Sequence, residues 1–247
     1  MTTGASLAGV LLEDTWEATD VMEECTRTGR PCQELTVEQL DAYDPREFMK
    51  HVFMCNTEIV QKKLQAVGLS SKVPATYPPE LGNMFHRTME TKRLDLISTA
   101  DLPLFVKPTS NNKAFDGCVV KSAEKLQDII EEVGGGEKGA ALEVFTAEVV
   151  SFKAEYRLFI GGFKCYGLGQ INEAEPVGPP PDELVQQIVA LVGDRFWVVD
   201  VGYLSKQDGA PEWAVVEVNP PFSMDDHGLA IEPYVQYCTD AAAWIRG

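Results

Sequence analysis

The sequence predicts an α/β (α+β) fold, and three observations carry that prediction. Apolar runs of strand length alternate with capped, amphipathic segments through the N-terminal third. Further on, two pairs of β-type runs are joined by glycine turns, at Gly161-Gly162 and at Asp208-Gly209. The composition is that of an ordinary globular chain, 247 residues with 45% hydrophobic and 24% charged, enough for one large domain or two modest ones with an ample core.

Residues 6–12 read as a buried strand, Trp16 to Thr26 as a helix, and Cys32 to Leu35 as a short second strand. A helix starts at Asp44-Pro45-Arg46-Glu47, which offers an N-cap Asp, a proline at the first helical position and a Glu three residues after the cap. Another spans Thr57 to Val67, with Val60, Leu64 and Val67 on one stripe and Gly68 as its stop. Three prolines and a glycine in SSKVPATYPPELG, Ser70 to Gly82, break both periodicities and mark a boundary. The run HRTMETKRLDLI then reads as a basic helix leading into the strand LPLFVKP. Ser122 caps a helix whose Leu126, Ile129, Ile130 and Val133 form one face before Gly134 ends it. A strand near Ala141 to Phe145 precedes the hairpin EYRLFI-GG-FKCYGL, which turns at Gly161-Gly162. The proline-rich loop EPVGPPPDE leads to a helix near Leu184 to Val192, and the final hairpin runs from Phe196 to Asn219.

Charge narrows the partners. With 21 basic and 38 acidic residues the net charge is −17 and the pI about 4.5, which disfavours docking on nucleic acid or an anionic membrane. Six scattered cysteines without C-x-x-C spacing or nearby His indicate neither a zinc site nor a disulfide framework. The short run LAGVLL lacks a preceding basic residue and is followed by Glu13-Asp14, unlike a signal peptide. No segment reaches the roughly 20 apolar residues of a membrane span. A soluble cytoplasmic protein is expected.

The final hairpin carries the chemistry. Asp200 lies eight residues before Asp208 and Glu217 eight after Gly209, so a turn centred on Asp208-Gly209 sets the two carboxylates opposite one another on one face. Asn219, two residues on, shares that face. Like charges within about 5 Å repel unless a cation lies between them, and oxygen-only ligands suit Mg²⁺ or Mn²⁺. The alternative is a solvated strand face, against which stand the flanking Val198, Val199, Val201, Val215, Val216 and Val218, which describe strands covered on both sides.

A metal of this kind commonly accompanies nucleotide phosphates, which need cations. Lys107 ends the strand LFVK, and Lys113 opens KAFDG, a loop whose Gly117 permits close backbone approach. Neither a P-loop nor G-x-G-x-x-G is present. In Glu155-Tyr156-Arg157, Glu155 and Arg157 share a face, and an Arg beside carboxylates and a metal can hold a transferring phosphate. Taken singly, each of these is an ordinary surface charge; their order along the chain is the signal.

That order resembles the ATP-grasp superfamily over Phe85 to the C-terminus. FVKPTSNNKAFDG, EVVSFKAEYRLFI, VVDVG and VVEVN are similar to a small clade of it, and HVFMCNTEIVQKKLQAVGL with TYPPEL resembles that clade's short N-terminal domain. The resemblance implies an ATP-grasp fold, two antiparallel-rich α+β subdomains sandwiching ATP, preceded by a short α/β domain: residues 1–84, then 85–147 and 148–247. It further implies that Lys107 and the flap lysine Lys113 meet the phosphates. Glu148, Val149 and Val150 would bond the adenine edge and Glu155 the ribose, while Asp200, Glu217 and Asn219 match metal-ligand positions. Arg157 and Lys113 would serve the transferring phosphate.

Three departures qualify the match. Arg87, Lys92 and Arg93 all compete for the lysine usually found before the central subdomain, the flap is KAFDG rather than fully glycine-rich, and EVN is followed by PPFSMDDHG. His227 in that last loop is either a general base or an exposed loop histidine.

The implied activity is ATP- and Mg²⁺-dependent ligation, in which a small carboxylate becomes an acylphosphate that an amine or other nucleophile captures. Phosphotransfer, or nucleotide binding without chemistry, are the alternatives.

Overall fold

The computed structural model of the chain describes residues 8–14, 19–109, 114–173, 176–205 and 211–247. In chain order it begins β1 (Val10–Glu13), α1 (Thr19–Thr28), β2 (Cys32–Leu35), α2 (Val37–Ala42), α3 (Pro45–Phe48), β3 (Val52–Met54) and α4 (Thr57–Ala66). There follow β4 (Met89–Arg93), β5 (Leu104–Pro108), β6 (Cys118–Val120), α5 (Ala123–Glu132), α6 (Gly136–Ala140) and β7 (Glu143–Glu148). The chain closes with β8 (Ser151–Gly161), β9 (Lys164–Glu173), α7 (Asp182–Val192), β10 (Phe196–Ser205), β11 (Glu212–Asn219) and α8 (Ile231–Arg246). Among the described residues no helix is long and apolar enough to cross a membrane.

These elements form two compact units, one of Met1–Gly82, Lys153–Tyr203 and Trp213–Gly247, the other of Asn83–Phe152 and Leu204–Glu212. In the first, a parallel sheet ordered β2-β1-β3 and a second sheet ordered β11-β10-β8-β9 share one core. Val10, Leu12, Val52 and Met54 of the former join Phe159, Phe196 and Val198 of the latter around Tyr234, Tyr237 and Ala241 of α8. Parallel strands need both faces covered, and α8 covers one; Leu11 and Phe53 point the other way, into a cluster with α2, α3 and α4. The second unit is an antiparallel sheet ordered β4-β7-β5-β6. Leu126 and Ile129 of α5 pack there with Val106, Val120 and Val144.

Local signals explain several boundaries. Asp44 accepts from the Arg46 and Glu47 N–H groups and Ser122 from Lys125 N–H, as N-caps do. Thr36 and Gln39 close a reciprocal capping box that starts α2. Neither α2 nor β3 is among the elements expected from the sequence.

Several expectations are corrected. The segment HRTMETKRLDLI is not a helix: Met89–Arg93 pairs with β7 along its whole length, and Leu94–Leu96 is one turn of 3₁₀ helix. Tertiary pairing overrides helix propensity there. The strand expected near Ala141 to Phe145 starts at Glu143, because Gly136–Ala140 forms a short helix first. The helix expected at Trp16 to Thr26 spans Thr19–Thr28. The β8–β9 turn sits one residue later than expected, at Gly162-Phe163, with φ of 56° and 62° and Gly161 paired to Lys164. Gly161 is therefore a strand residue, and a side chain on it would collide with the Phe196 ring. The Asp208-Gly209 turn lies outside the described residues.

Candidate functional site

Asp200 lies in the middle of β10, between Val199 and Val201, both fully buried. A carboxylate so placed needs compensation, and β8 supplies it. Arg157 Nε and Nη2 donate to the two Asp200 oxygens at 2.9 and 3.0 Å, with side-chain exposures of 12% and 5%. This is the planar fork-to-carboxylate match that arginine alone provides. Asn219 at the end of β11 adds a third donor, Nδ2 to Asp200 Oδ2 at 2.9 Å. Val198, Val215 and Val218 are buried as the sequence indicated, while Val216 is half-buried.

Electrostatics distinguish the members of this group. Burial raises the Asp200 carboxyl above the usual carboxylate range; Arg157 pulls it back, and the charge of Glu217 pushes it up again. For Arg157, burial works against the charge, and the Asp200 hydrogen bond and charge more than offset it. Glu217 is half-buried on β11 and close enough to act on both partners. His227 is held below its ordinary range by burial first and by Arg157 second, so the ring is neutral at neutral pH.

Above this cluster runs the loop that follows β11. Arg157 Nη1 donates to the Asp225 carbonyl at 3.4 Å, Gln170 N–H to the His227 carbonyl at 2.9 Å, and Tyr234 OH to the Met224 carbonyl at 2.7 Å. Gly169 makes the approach possible, since a side chain there would collide with the Asp226 carbonyl oxygen. Ser223 and His227 both take positive φ, 59° and 50°, which is uncommon for residues other than glycine.

The donor set is compatible with a hard divalent cation. A carboxylate has about four lone-pair sites, and Asp200 commits three to Arg157 and Asn219. Asn219 turns its amide nitrogen to Asp200, which leaves its Oδ1 as an acceptor. Two carboxylates against one guanidinium leave the group negative. Among the described residues no group of three His, Cys, Asp or Glu side chains is arranged to hold a metal; the oxygen set here has two carboxylates and an amide.

The remaining predicted residues fall as follows. Glu155 is half-buried on β8 and accepts from Asn172 Nδ2 at 2.8 Å. Glu148 ends β7 and accepts the Thr88 N–H at 3.1 and 3.3 Å from its two oxygens. Val149, 43% exposed, and the half-buried Val150 link β7 to β8. Lys107 is half-buried on β5, and a Cβ at Gly117 would touch its Cβ and Cγ at 3.4 Å. Lys113 lies outside the described residues. Of the three competing cations, Lys92 pairs with Glu90 at 2.8 Å and Arg93 with Asp95, while Arg87 stacks over Phe152 at 5.4 Å. Sequence reasoning missed the ion pair between Arg157 and Asp200. The only available signal was that both charges sit inside apolar strands and so need partners.

A family model of the ATP-grasp domain, the second family of its clade, matches residues 84–237. Three solved structures are similar over nearly the whole chain. The RimK domain protein ATP-grasp from Sphaerobacter thermophilus DSM 20745 gives a TM-score of 0.60 at 16% identity, covering 96% of this chain and 99% of that one. The D-alanine–D-alanine ligase from Bacillus anthracis gives 0.53 at 15%, covering 98% and 99%. The ATP-grasp ligase PsnB complexed with a minimal precursor gives 0.53 at 13%, covering 96% and 99%. Likeness at these identities establishes the fold alone. Comparison with curated proteins gave no match.

Proposed function

Because the chain belongs to this clade family of the ATP-grasp domain, we propose that it is an ATP- and Mg²⁺-dependent carboxylate-amine ligase. The observation that carries the proposal is the buried Asp200, gripped by Arg157 and Asn219 beside Glu217. An acidic group held this rigidly inside a sheet is costly unless used.

In this reading Asp200, Glu217 and Asn219 hold Mg²⁺ (or Mn²⁺), which when bound neutralises phosphate charge. Lys107 and Lys113 pair with the phosphates. Arg157, fixed by Asp200 and by the Asp225 carbonyl, presents its charge to the γ-phosphoryl group during transfer. Glu148 takes the adenine amino group on lone pairs beyond those that accept Thr88 N–H. Val149 and Val150 bond the ring edge through the backbone, and Glu155 takes the ribose hydroxyls. A substrate carboxylate oxygen attacks the γ-phosphorus and ADP leaves; the amine then attacks the acyl carbon of the acylphosphate and expels phosphate. Residues 1–84, 85–147 and 148–247 are proposed as the N-terminal, central and C-terminal parts, working on small substrates in the cytoplasm, without nucleic acid or membrane.

The test is a matrix of amino acids, small carboxylates and amines with ATP and Mg²⁺, scored for ADP. Short peptides belong in it, because PsnB was solved with a precursor. A ligase sustains ADP release beyond one equivalent per enzyme only when carboxylate and amine are both present. Sustained ADP with the phosphate left on a single acceptor would make the protein a phosphotransferase, and ATP binding without ADP under any pairing would make it a binding module.

A further inference from the structure

A guanidinium has five N–H donors, and Arg157 commits three of them. Nε and Nη2 each give one to the Asp200 carboxylate at 2.9 and 3.0 Å, Nη1 gives one to the Asp225 carbonyl at 3.4 Å, and two remain. The fork on Asp200 is the arrangement in which an arginine offsets a carboxylate's charge most fully. Asn219 bonds the same carboxylate at 2.9 Å from β11, and Glu217, two residues before it, shares that strand face. The charge of Arg157 therefore stands inside the oxygen group that would receive a cation. Around it the chain, at net −17, draws divalent cations without discrimination.

We propose, resting on the metal reading above, that Arg157 is the specificity determinant of this site, closing it to the free divalent ion and opening it to the metal–nucleotide complex. A bare cation approaching Asp200 and Glu217 meets the guanidinium, and two carboxylates less one arginine leave a single negative charge to hold it. Affinity for a hard cation follows the number of charged ligands, so that single charge holds the ion poorly. A nucleotide carrying the same cation is an anion. Its phosphates bring the further oxygen ligands that Mg²⁺ sites with one or two carboxylates rely on, and they take the two remaining N–H donors of Arg157. One side chain thus repels the ion alone and attracts the ion's complex. Asp200 keeps its fork throughout, so Arg157 stays aimed while its outer donors turn to the phosphate.

The experiment titrates Mn²⁺ into the full chain at an ionic strength of about 0.15 M and counts the free ion by electron paramagnetic resonance, without nucleotide and with the ATP analogue whose β- and γ-phosphates are joined by a methylene. Glu217→Gln, measured alongside, sets the background from the acidic surface. Without nucleotide the unaltered protein should bind no more Mn²⁺ than Glu217→Gln; with the analogue it should take up further ion that Glu217→Gln does not. Removing a unit charge at salt-bridge distance from a divalent ion changes the ion's energy by more than RT even at an effective dielectric of about 20, so Arg157→Gln should bind Mn²⁺ without nucleotide at least about tenfold more tightly than the unaltered protein. Arg157→Gln leaves Asp200 without its cation, and circular dichroism follows its folding; a variant that folds only when Mn²⁺ is added gives the same answer in a second readout. Unaltered protein that binds Mn²⁺ above background without nucleotide overturns this inference and leaves the ligase reading standing. So does an Arg157→Gln whose folding and Mn²⁺ affinity both fail to gain. Mn²⁺ that stays free even with the analogue removes the metal reading, and this inference with it.

Discussion

Asp200 and Glu217 look equivalent along the sequence, two carboxylates on one hairpin, and burial separates them. Asp200 is 4% exposed and bound to a buried guanidinium, whereas Glu217 is half-buried on the outer strand. Asp200→Asn should therefore cost stability, on the order of 3 kcal/mol, because it leaves Arg157 buried without its charge partner. Glu217→Gln should leave stability within about 1 kcal/mol, as a substitution that buries no unpaired charge does, and abolish Mg²⁺-dependent ADP formation. Urea unfolding beside an ADP assay checks both; an active, folded Glu217→Gln would remove Glu217 from the metal set. For Asp200, the pairing of its strand with that of Glu217 was legible from their two apolar runs. Its arginine was not, since Arg157 and Asp200 meet through the adjacency of β8 and β10, and sheet order is not written in local pattern.

Among elements, some helix ends were legible, although α2 with its full capping box was missed. Asp44, Ser122 and the Gly68 stop all act where their chemistry predicts, because caps are local hydrogen-bonding problems. Strand β4 was not legible. METKR is polar on both sides of its alternation and mostly exposed, and it is extended because β7 offers a partner along its length. The β8–β9 turn moved by one residue for a packing reason: Gly161 is needed against Phe196, which pushes the left-handed turn positions onto Gly162 and Phe163. Phe163 is 69% exposed and bears the strain of positive φ without burying its ring. Phe163→Gly should stabilise the protein by about 1 kcal/mol, while Gly161→Ala should destabilise it by about 1–3 kcal/mol through overpacking. Denaturant midpoints measure both, and a destabilised Phe163→Gly would show that the ring holds something down.

For the whole molecule, charge is the property that the sequence stated most completely. The excess of 17 negative charges spreads over a chain in which, apart from the buried Arg157–Asp200 pair, ion pairs such as Lys50–Glu47 at 2.6 Å and Lys62–Asp41 at 2.8 Å are exposed. Such pairs contribute about 0–1 kcal/mol each, so net repulsion should dominate the response to salt. Raising sodium chloride from about 0.01 M to about 1 M, which shortens the screening length from about 30 Å to about 3 Å, should raise the melting temperature. A fall would mean that the pairs outweigh the repulsion. Less legible was the grouping of β1, β2 and β3 with the C-terminal strands and α8, since those contacts join residues far apart in sequence.

The loop after β11 is fastened by its own carbonyls, Met224 to Tyr234, Asp225 to Arg157 and His227 to Gln170. A carbonyl is the same in every amino acid. These hydrogen bonds thus hold the backbone whatever the side chains are, and what the side chains answer to lies elsewhere, Met224 to the core it packs against and His227 to its positive φ.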